Sequence, residues 1–490
     1  MGILNLLEKT IPVFGQTYDV SLNWIAQLIR WLITSVGIVG VGIILFSLCL
    51  KVVVLPFDIY QRISMRKQNQ KMKDQKERME KLQKQYANDK AMYNQKLMEM
   101  YKENGISMFS SCLPMILSMV IFIVAINAFN AYAQYSAIEN YNYMVSAYKS
   151  EIRAYCPDLD DENISFENDK IVVKGGADET DAYIFYRLPN TENYTAETDK
   201  ATVKAYIDAQ IKADTINEYV IDTAKIEANT TLMTEITSLI PEGTAHDAAA
   251  KEQAMYDYFV AKAQKAVKVA YEDEENGVKT KTKFLWIKNI WLTDASYKSP
   301  VLDYTTFETE AKREEFQVGG DKVKYSEIGK TGTLVYNEDA YNLITAELTE
   351  QKEEANGWYI LIILSIGTIL LQQFVTMRSQ KEQQKYSTVD GQGASQQKMM
   401  LIMMTGMFAI FSFMYSAAFS IYMITSNIFS LLSTIIINKF VDKKLEKEEA
   451  VTTVVRMDNR TLSRIEAAKK AGQASAKDSR EKKNKDDEGK

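Results

Sequence analysis

Histidine occurs once in this 490-residue chain, at His246, and cysteine three times, at Cys49, Cys112 and Cys156. One imidazole and scattered thiols give no ligand cluster, so no metal and no cofactor is expected. Two of the cysteines lie in apolar runs and the third is alone in an acidic stretch, which leaves no disulfide framework. The apolar runs contain no pair of carboxylates, and no Ser/His/Asp set, Walker loop or HExxH motif occurs, so an enzyme is not expected. Gly329-Lys330-Thr331 lacks the upstream glycine of a phosphate loop and reads as a hairpin turn. The first thirty residues show no basic segment followed by an apolar core and a cleavage site, so a cleavable signal peptide is not expected.

Charge is present but sharply partitioned. The formal net charge is −6, yet residues 137–357 carry 24 Lys/Arg against 42 Asp/Glu, and the remainder 34 against 22. Such asymmetry suggests segments on opposite sides of a membrane. Apolar windows of about 17–22 residues supply the membrane-crossing parts. The chain is organised around residues 36 to 130. There an apolar run with one cation, Lys51, is followed by a stretch, 58–108, holding twelve Lys/Arg against seven Asp/Glu, and then by a second apolar run.

The expected fold is an all-α polytopic membrane protein. It has five transmembrane helices, a cytoplasmic helical hairpin and an inserted α+β extracytoplasmic domain. Residues 1–35 hold a tail and an amphipathic interfacial helix, with Trp24, Leu28 and Trp31 on one face. The alternative is that this helix simply begins the first span. A helix from Asn23 to Phe57 would be about 50 Å long, too long for a core of about 30 Å, which argues for a bend near Thr34 to Gly37. Spans are expected at 36–57, 109–136, 358–378, 397–416 and 418–438. The last two share an uncharged run, 399–437, too long for one crossing.

The basic stretch, 58–108, breaks at Ala87-Asn88-Asp89. Met65, Met72, Met79 and Tyr86 stripe its first half, and Tyr93, Leu97 and Tyr101 its second, the pattern of an antiparallel helical hairpin. Its stripes either hold the hairpin together or contact clients. In the acidic domain, 137–357, the span is expected to continue helically through YNYMVSAYKSEIRAY. ISFENDKIVVKG and AYIFYRL alternate as strands, 195–212 and 246–272 look helical, and KVKYSEI with GTLVYN suggests a hairpin. Residues 337–357 look helical and run into the third span. A loop, 379–396, and a tail, 439–490, with fifteen Lys/Arg against eleven Asp/Glu, complete the chain. The two basic segments, 58–108 and 439–490, belong in the cytoplasm by the positive-inside rule. That puts the N-terminus outside and the C-terminus inside.

Polar groups recur at one level of the membrane part. Lys51 lies six residues, about 9 Å, from the inner end of its span. Gln372 and Gln373 lie at similar depth before Arg378, Ser118 faces that half from the second span, and Ser420, Tyr422, Thr425, Ser426, Asn427 and Ser430 come from the fifth. Lys51 could snorkel to the interface, and the amides and hydroxyls could bond between helices. Together they could also line a wet cavity in the inner leaflet.

These residues resemble the YidC/Oxa membrane protein insertase family. LKVVVLPF is similar to the family's Arg followed five residues later by Pro, with Lys51 and Pro56 in those places. YKENGISMFSSCLPMILSMVIF resembles its hairpin end and start of span two, and FLWIKNIWLTD its segment before span three. ILLQQF resembles span three and SAAFSIYMITSN span five. The resemblance implies a five-helix core with a positively charged groove, open to the cytoplasm and to lipid and closed outside. Lys51 would be its cation and Gln373 its span-three glutamine. Tyr422 and Met423 match the pair along which clients slide, and Gln372, Ser118, Thr425 and Ser426 accompany them. Lys51 in place of Arg loses bidentate pairing with a carboxylate, and Ser416 and Ala418 replace the family's Pro and Gly. The expected function is nucleotide-independent insertion and folding of nascent membrane proteins in the bacterial membrane, alone or with the Sec translocon that the resemblance implies. The lipid bilayer and, through the basic tail and hairpin, the ribosome are further partners, and nothing points to DNA. The alternatives are a membrane-anchored extracellular binding or receptor protein, and a permease subunit.

Overall fold

The computed structural model describes residues 10–14, 17–104, 113–155, 164–167, 170–173, 184–186, 205, 208–209, 218–221, 223–318, 320–328, 336–379 and 392–440. The protein is mostly helical. Among the described residues four helices are long and apolar enough to cross a membrane: 39–64, 119–154, 360–378 and 417–440. It is a multi-pass membrane protein. The chain divides into two compact units, 1–49 with 118–369 and 403–425, and 50–117 with 370–402 and 426–490.

In the first unit, helix α1 (Trp24–Val36) begins at Asn23, whose side chain accepts from the Ala26 N–H, and ends at Gly37 in the left-handed region (φ 75°). Glycine adopts that conformation without a Cβ clash, which is why the chain turns here, at the corner expected from length. Ala26, Ile29 and Leu32 are buried, while Trp24 and Trp31 are 75% and 62% exposed. That is the apolar exposed face expected of an interfacial helix.

Helix α2 (Val39–Asp74) follows without a break at Phe57 and passes through Pro56. The expected boundary between span and hairpin is therefore not a helix end. Proline removes one N–H, but the flanking turns carry the helix on. In the second unit, helices α3 (Lys76–Gln85) and α4 (Lys90–Glu103) flank a turn at 86–89, as the sequence indicates. The Asp89 side chain caps α4 by accepting from the Met92 N–H. Met79, Met100 and Tyr101 are buried against each other, with Leu82 and Leu97 alongside. Arg78 pairs with Glu103. Residues 78, 79 and 82 thus meet 103, 100–101 and 97, an antiparallel register. The Met65 and Met72 side chains lie outside the described ones.

Helix α5 (Leu113–Ala154) is continuous over 42 residues and carries the expected extension beyond the span. Its far half buries Tyr132, Tyr135, Ile138, Tyr141, Val145, Tyr148 and Ile152, positions recurring at three and four, the spacing of one helical face. Tyr141, fully buried, stacks at 5.1 Å on Tyr341 and packs at 4.8 Å on Phe307. Helix α6 (Ala248–Glu272) matches the expected helix at 246–272 and buries Met255, Phe259 and Val267.

Two antiparallel sheets complete this unit. The first has the order Thr10–Pro12, Glu218–Ile221, Ile184–Tyr186, Lys170–Val173, Ile164–Glu167. The second joins Asp19–Val20, Glu315–Val318 and Asp321–Lys324. Part of the stretch expected to be a tail is therefore sheet: Thr10 faces Val220 and Asp19 faces Gln317. Of the strand pair expected around 329–332, KVKYSEI is strand only as far as Lys324, and most of GTLVYN lies outside the described residues. Asp321–Lys324 pairs with Glu315–Val318, and Tyr325–Ile328 is helical. The 329–332 turn and most of 195–212 lie outside the described residues, as do Cys112, Cys156 and the 439–490 tail beyond Phe440.

The third span, helix α7 (Ile360–Ser379), does not continue from a helix at 337–357. Short helices Glu338–Ile344 and Thr349–Glu353 end at Glu354, and residues 354–359 are irregular. Helix α8 (Gln392–Met414) follows, and helix α9 covers 417–440.

Candidate functional site

Lys51 and Pro56 lie on α2, Gln372 and Gln373 on α7, and Ser426 on α9, all within the second unit. Lys51, Gln372 and Gln373 are half-buried and Ser426 is buried. The sequence did not reveal what accompanies Lys51. Asp58, seven residues on, shares its helix face. Asp58 stands within electrostatic range of both Lys51 and Arg62, and it is half-buried. Arg62 donates to the Thr434 hydroxyl at 2.6 Å and the Asn438 carbonyl at 3.5 Å, tying α2 to α9. The membrane cation thus has an acidic neighbour, contrary to the expectation of a lone charge. Its signal in the sequence was the 51–58–62 spacing, which keeps all three residues on one face. The Thr376 hydroxyl bonds back to the Gln372 carbonyl of its own helix, one turn away.

In the first unit Tyr422 and Met423 are 3% and 5% exposed. Tyr422 packs on Phe129 and Phe419, Phe129 on Phe46, and Phe419 on Phe122. Both residues expected to face clients are buried, Tyr422 within an aromatic cluster. Thr425 is half-buried one turn further, and Ser118 lies in α5 with its side chain outside those described. Ser365 donates to Ser412 at 3.0 Å, a buried bond between α7 and α8.

The FLWIKNIWLTD segment is tied to the rest of this unit by many hydrogen bonds. Asp294 is 1% exposed. One carboxylate oxygen accepts from the Trp358 and Tyr359 N–H groups at 2.7 and 3.1 Å, the other from Leu361 at 2.6 Å. These are the orphan donors at the start of α7, and a carboxylate there also meets the positive end of the helix dipole. The contact explains the break before α7 and holds Tyr359 at a φ of 63°, unusual for a residue with a side chain. Gly357 passes so close to Asp294 that a Cβ would collide with it. Asn356, fully buried, donates its amide to the Asn289 and Thr293 carbonyls and accepts from the Asn289 N–H. The Leu292 and Ile290 carbonyls accept from Ala417 and Ala418, the first N–H groups of α9.

The family model described as "60Kd inner membrane protein" matches residues 31–165 and 254–444. Proteins named "Membrane protein insertase YidC" are similar over shorter stretches. One from Caldanaerobacter subterraneus subsp. tengcongensis is 36% identical over 98 residues, 20% of this chain and 46% of that protein. One from Fusobacterium nucleatum subsp. nucleatum is 33% identical over 104 residues, 21% and 49%. One from Clostridium perfringens is 36% identical over 103 residues, 20% and 42%. The match spans less than half the length of these relatives. No solved structure matches. With most of its length covered by the family model, the chain belongs to the 60Kd inner membrane protein family, that of the YidC/Oxa insertases.

Proposed function

We propose that the chain inserts newly made proteins into the bacterial membrane through a polar groove, without nucleotide. The observation that carries this is Lys51: a cation half-buried in an apolar span, in the second unit with half-buried Gln372 and Gln373 and buried Ser426. Tyr422, Met423, Thr425 and Ser118 belong to the first unit and are the further residues that clients would contact. An unpaired polar group in hydrocarbon costs several kcal/mol. A hydrated groove part-way across lowers that barrier, and burial of the client's apolar helix drives completion.

In this reading the chain has five spans, the four long apolar helices and α8 as the fourth in order. The hairpin and the basic tail lie in the cytoplasm, the acidic segment outside, the N-terminus out and the C-terminus in. The domain limits expected from the sequence go with that topology. Nascent membrane proteins are the clients, the ribosome meets the basic tail and hairpin, and the Sec translocon is a partner for some clients. Complementation of an insertase-depleted bacterium tests the proposal. Wild-type chain and Lys51→Arg should restore growth, and Lys51→Ala should not restore insertion of clients with an acidic translocated tail. Equal insertion of such clients by wild type and Lys51→Ala would overturn it.

A further inference from the structure

The loop at 284–294 touches the N-terminal ends of three membrane helices at once. Asp294 caps α7 through three N–H groups. The Leu292 and Ile290 carbonyls cap α9 at Ala417 and Ala418, at 2.7 and 2.9 Å. The Phe284 ring fills the space that a side chain at Gly40 would need, in the first turn of α2. Asn356 locks the loop from behind, and Thr293 donates to the Tyr415 carbonyl in the turn between α8 and α9. Without the loop, α7 and α9 would present unsatisfied N–H groups at their starts. Unsatisfied donors hold water, and water there would open a polar path into the core.

We infer that this loop is the outer seal of the membrane core, with Asp294 and Asn356 as the positioning residues that keep it shut. The inference deepens the insertase reading and rests on its topology. The loop bonds main chain to main chain, and one buried carboxylate supplies three of the contacts. Removing that carboxylate frees the Trp358 and Leu361 donors together and leaves Tyr359 only the Asp294 main-chain carbonyl at 3.2 Å, so the seal should loosen as a unit rather than one bond at a time. Below it lies Ser420, one turn into α9. It is 1% exposed, and its hydroxyl has no hydrogen-bond partner among the described residues. A probe at that position reports whether the loop is closed.

The test uses the full chain in intact cells, with the native cysteines replaced by serine and Ser420→Cys as the only thiol. A membrane-impermeant maleimide is added from outside. With Asp294 present, Cys at 420 should stay protected. Asp294→Ala should raise its labelling rate at least about tenfold, since losing even one charge-assisted bond shifts a local opening equilibrium by that much. Asp294→Asn keeps the oxygen facing Trp358 and Tyr359 but turns an N–H toward Leu361, so its increase should be smaller. It is also the variant to use should Asp294→Ala not reach the membrane. Asn356→Ala should raise labelling as well. Labelling unchanged in all three, with membrane protein levels equal to the parent, would overturn the seal. This readout needs no client, so it stands or falls separately from insertion. Failure of Lys51→Ala to lose insertion would overturn the groove reading and leave the labelling result intact.

Discussion

Met79→Ala tests what holds the basic hairpin together. Met79 is 1% exposed, packs with Met100 and Tyr101, and accepts from the Tyr101 hydroxyl at 3.7 Å through its sulfur. The ion pairs on this hairpin are largely exposed: Arg78–Glu103 leaves 55% and 59% of the two side chains in solvent, and Lys81–Glu77 leaves 74% and 83%. Pairs of that kind contribute about 0.5 kcal/mol or less. Helices of 10 and 14 residues are marginal alone, so the small apolar cluster decides whether they stay paired. Truncating a buried Met costs about 2 kcal/mol at the low end, where surroundings can relax. That corresponds to roughly a thirtyfold shift in the opening equilibrium. Hydrogen exchange on protein in lipid nanodiscs should therefore show the amides of 76–85 and 90–103 exchanging about thirtyfold faster in Met79→Ala, with α5 and α9 unchanged. In the parent chain the same amides should already exchange faster than those of α5 and α9. Equal exchange in parent and variant would show that the hairpin is held by something other than this cluster.

Asp58→Asn should retain insertion of acidic-tailed clients where Lys51→Ala loses it; equal loss in an insertion assay would mean that the Lys51–Asp58 pair, rather than the cation, is what the groove needs. Replacing 140–277 and 303–350 with short linkers should leave a chain that still inserts clients, because 278–302 retains Thr282 and Pro300, whose carbonyls brace the 284–294 loop, and Lys298, whose carbonyl holds the Asn356 N–H. A chain that reaches the membrane and inserts nothing would place the acidic domain in the insertion machinery. Burial, aided by neighbouring Glu310 and Glu315, pushes the Glu314 carboxyl up to about 7. The folded state then holds a proton that the unfolded chain releases near pH 4.5, so this residue's contribution falls as pH rises from about 4.5 to 7. Glu314→Gln should flatten the melting temperature of the acidic domain over that window and raise it at pH 8; an unchanged pH profile would refute the assignment.

The sequence by itself determined the parts governed by short spacings. Hydropathy marked the spans, and the change to a 3.6-residue period marked the α6 helix and the far half of α5. The Ala87-Asn88-Asp89 break and the Met79, Leu97 and Tyr101 positions emerged because a helix repeats its face within one turn. The exposed Trp24–Trp31 face and the Gly37 corner were legible for the same reason. Lys51 stood out because a charge among apolar residues is rare. What the tertiary structure alone decided involves residues far apart in the chain. Thr10 joins a strand at Val220, Asp294 caps the helix at Leu361, and Arg62 reaches Thr434. No local pattern encodes such partners, since their pairing depends on which segments the fold brings together after loop entropy has been overcome. The irregular stretch before α7 shows the same limit. Residues 338–353 are largely helical as their composition suggests, yet the chain is irregular at 354–359, where the Trp358, Tyr359 and Leu361 N–H groups bond a carboxylate more than sixty residues away. Tyr422 was legible as a residue of the fifth span, but its burial against Phe129 and Phe419 came only from the packing of α5 on α9.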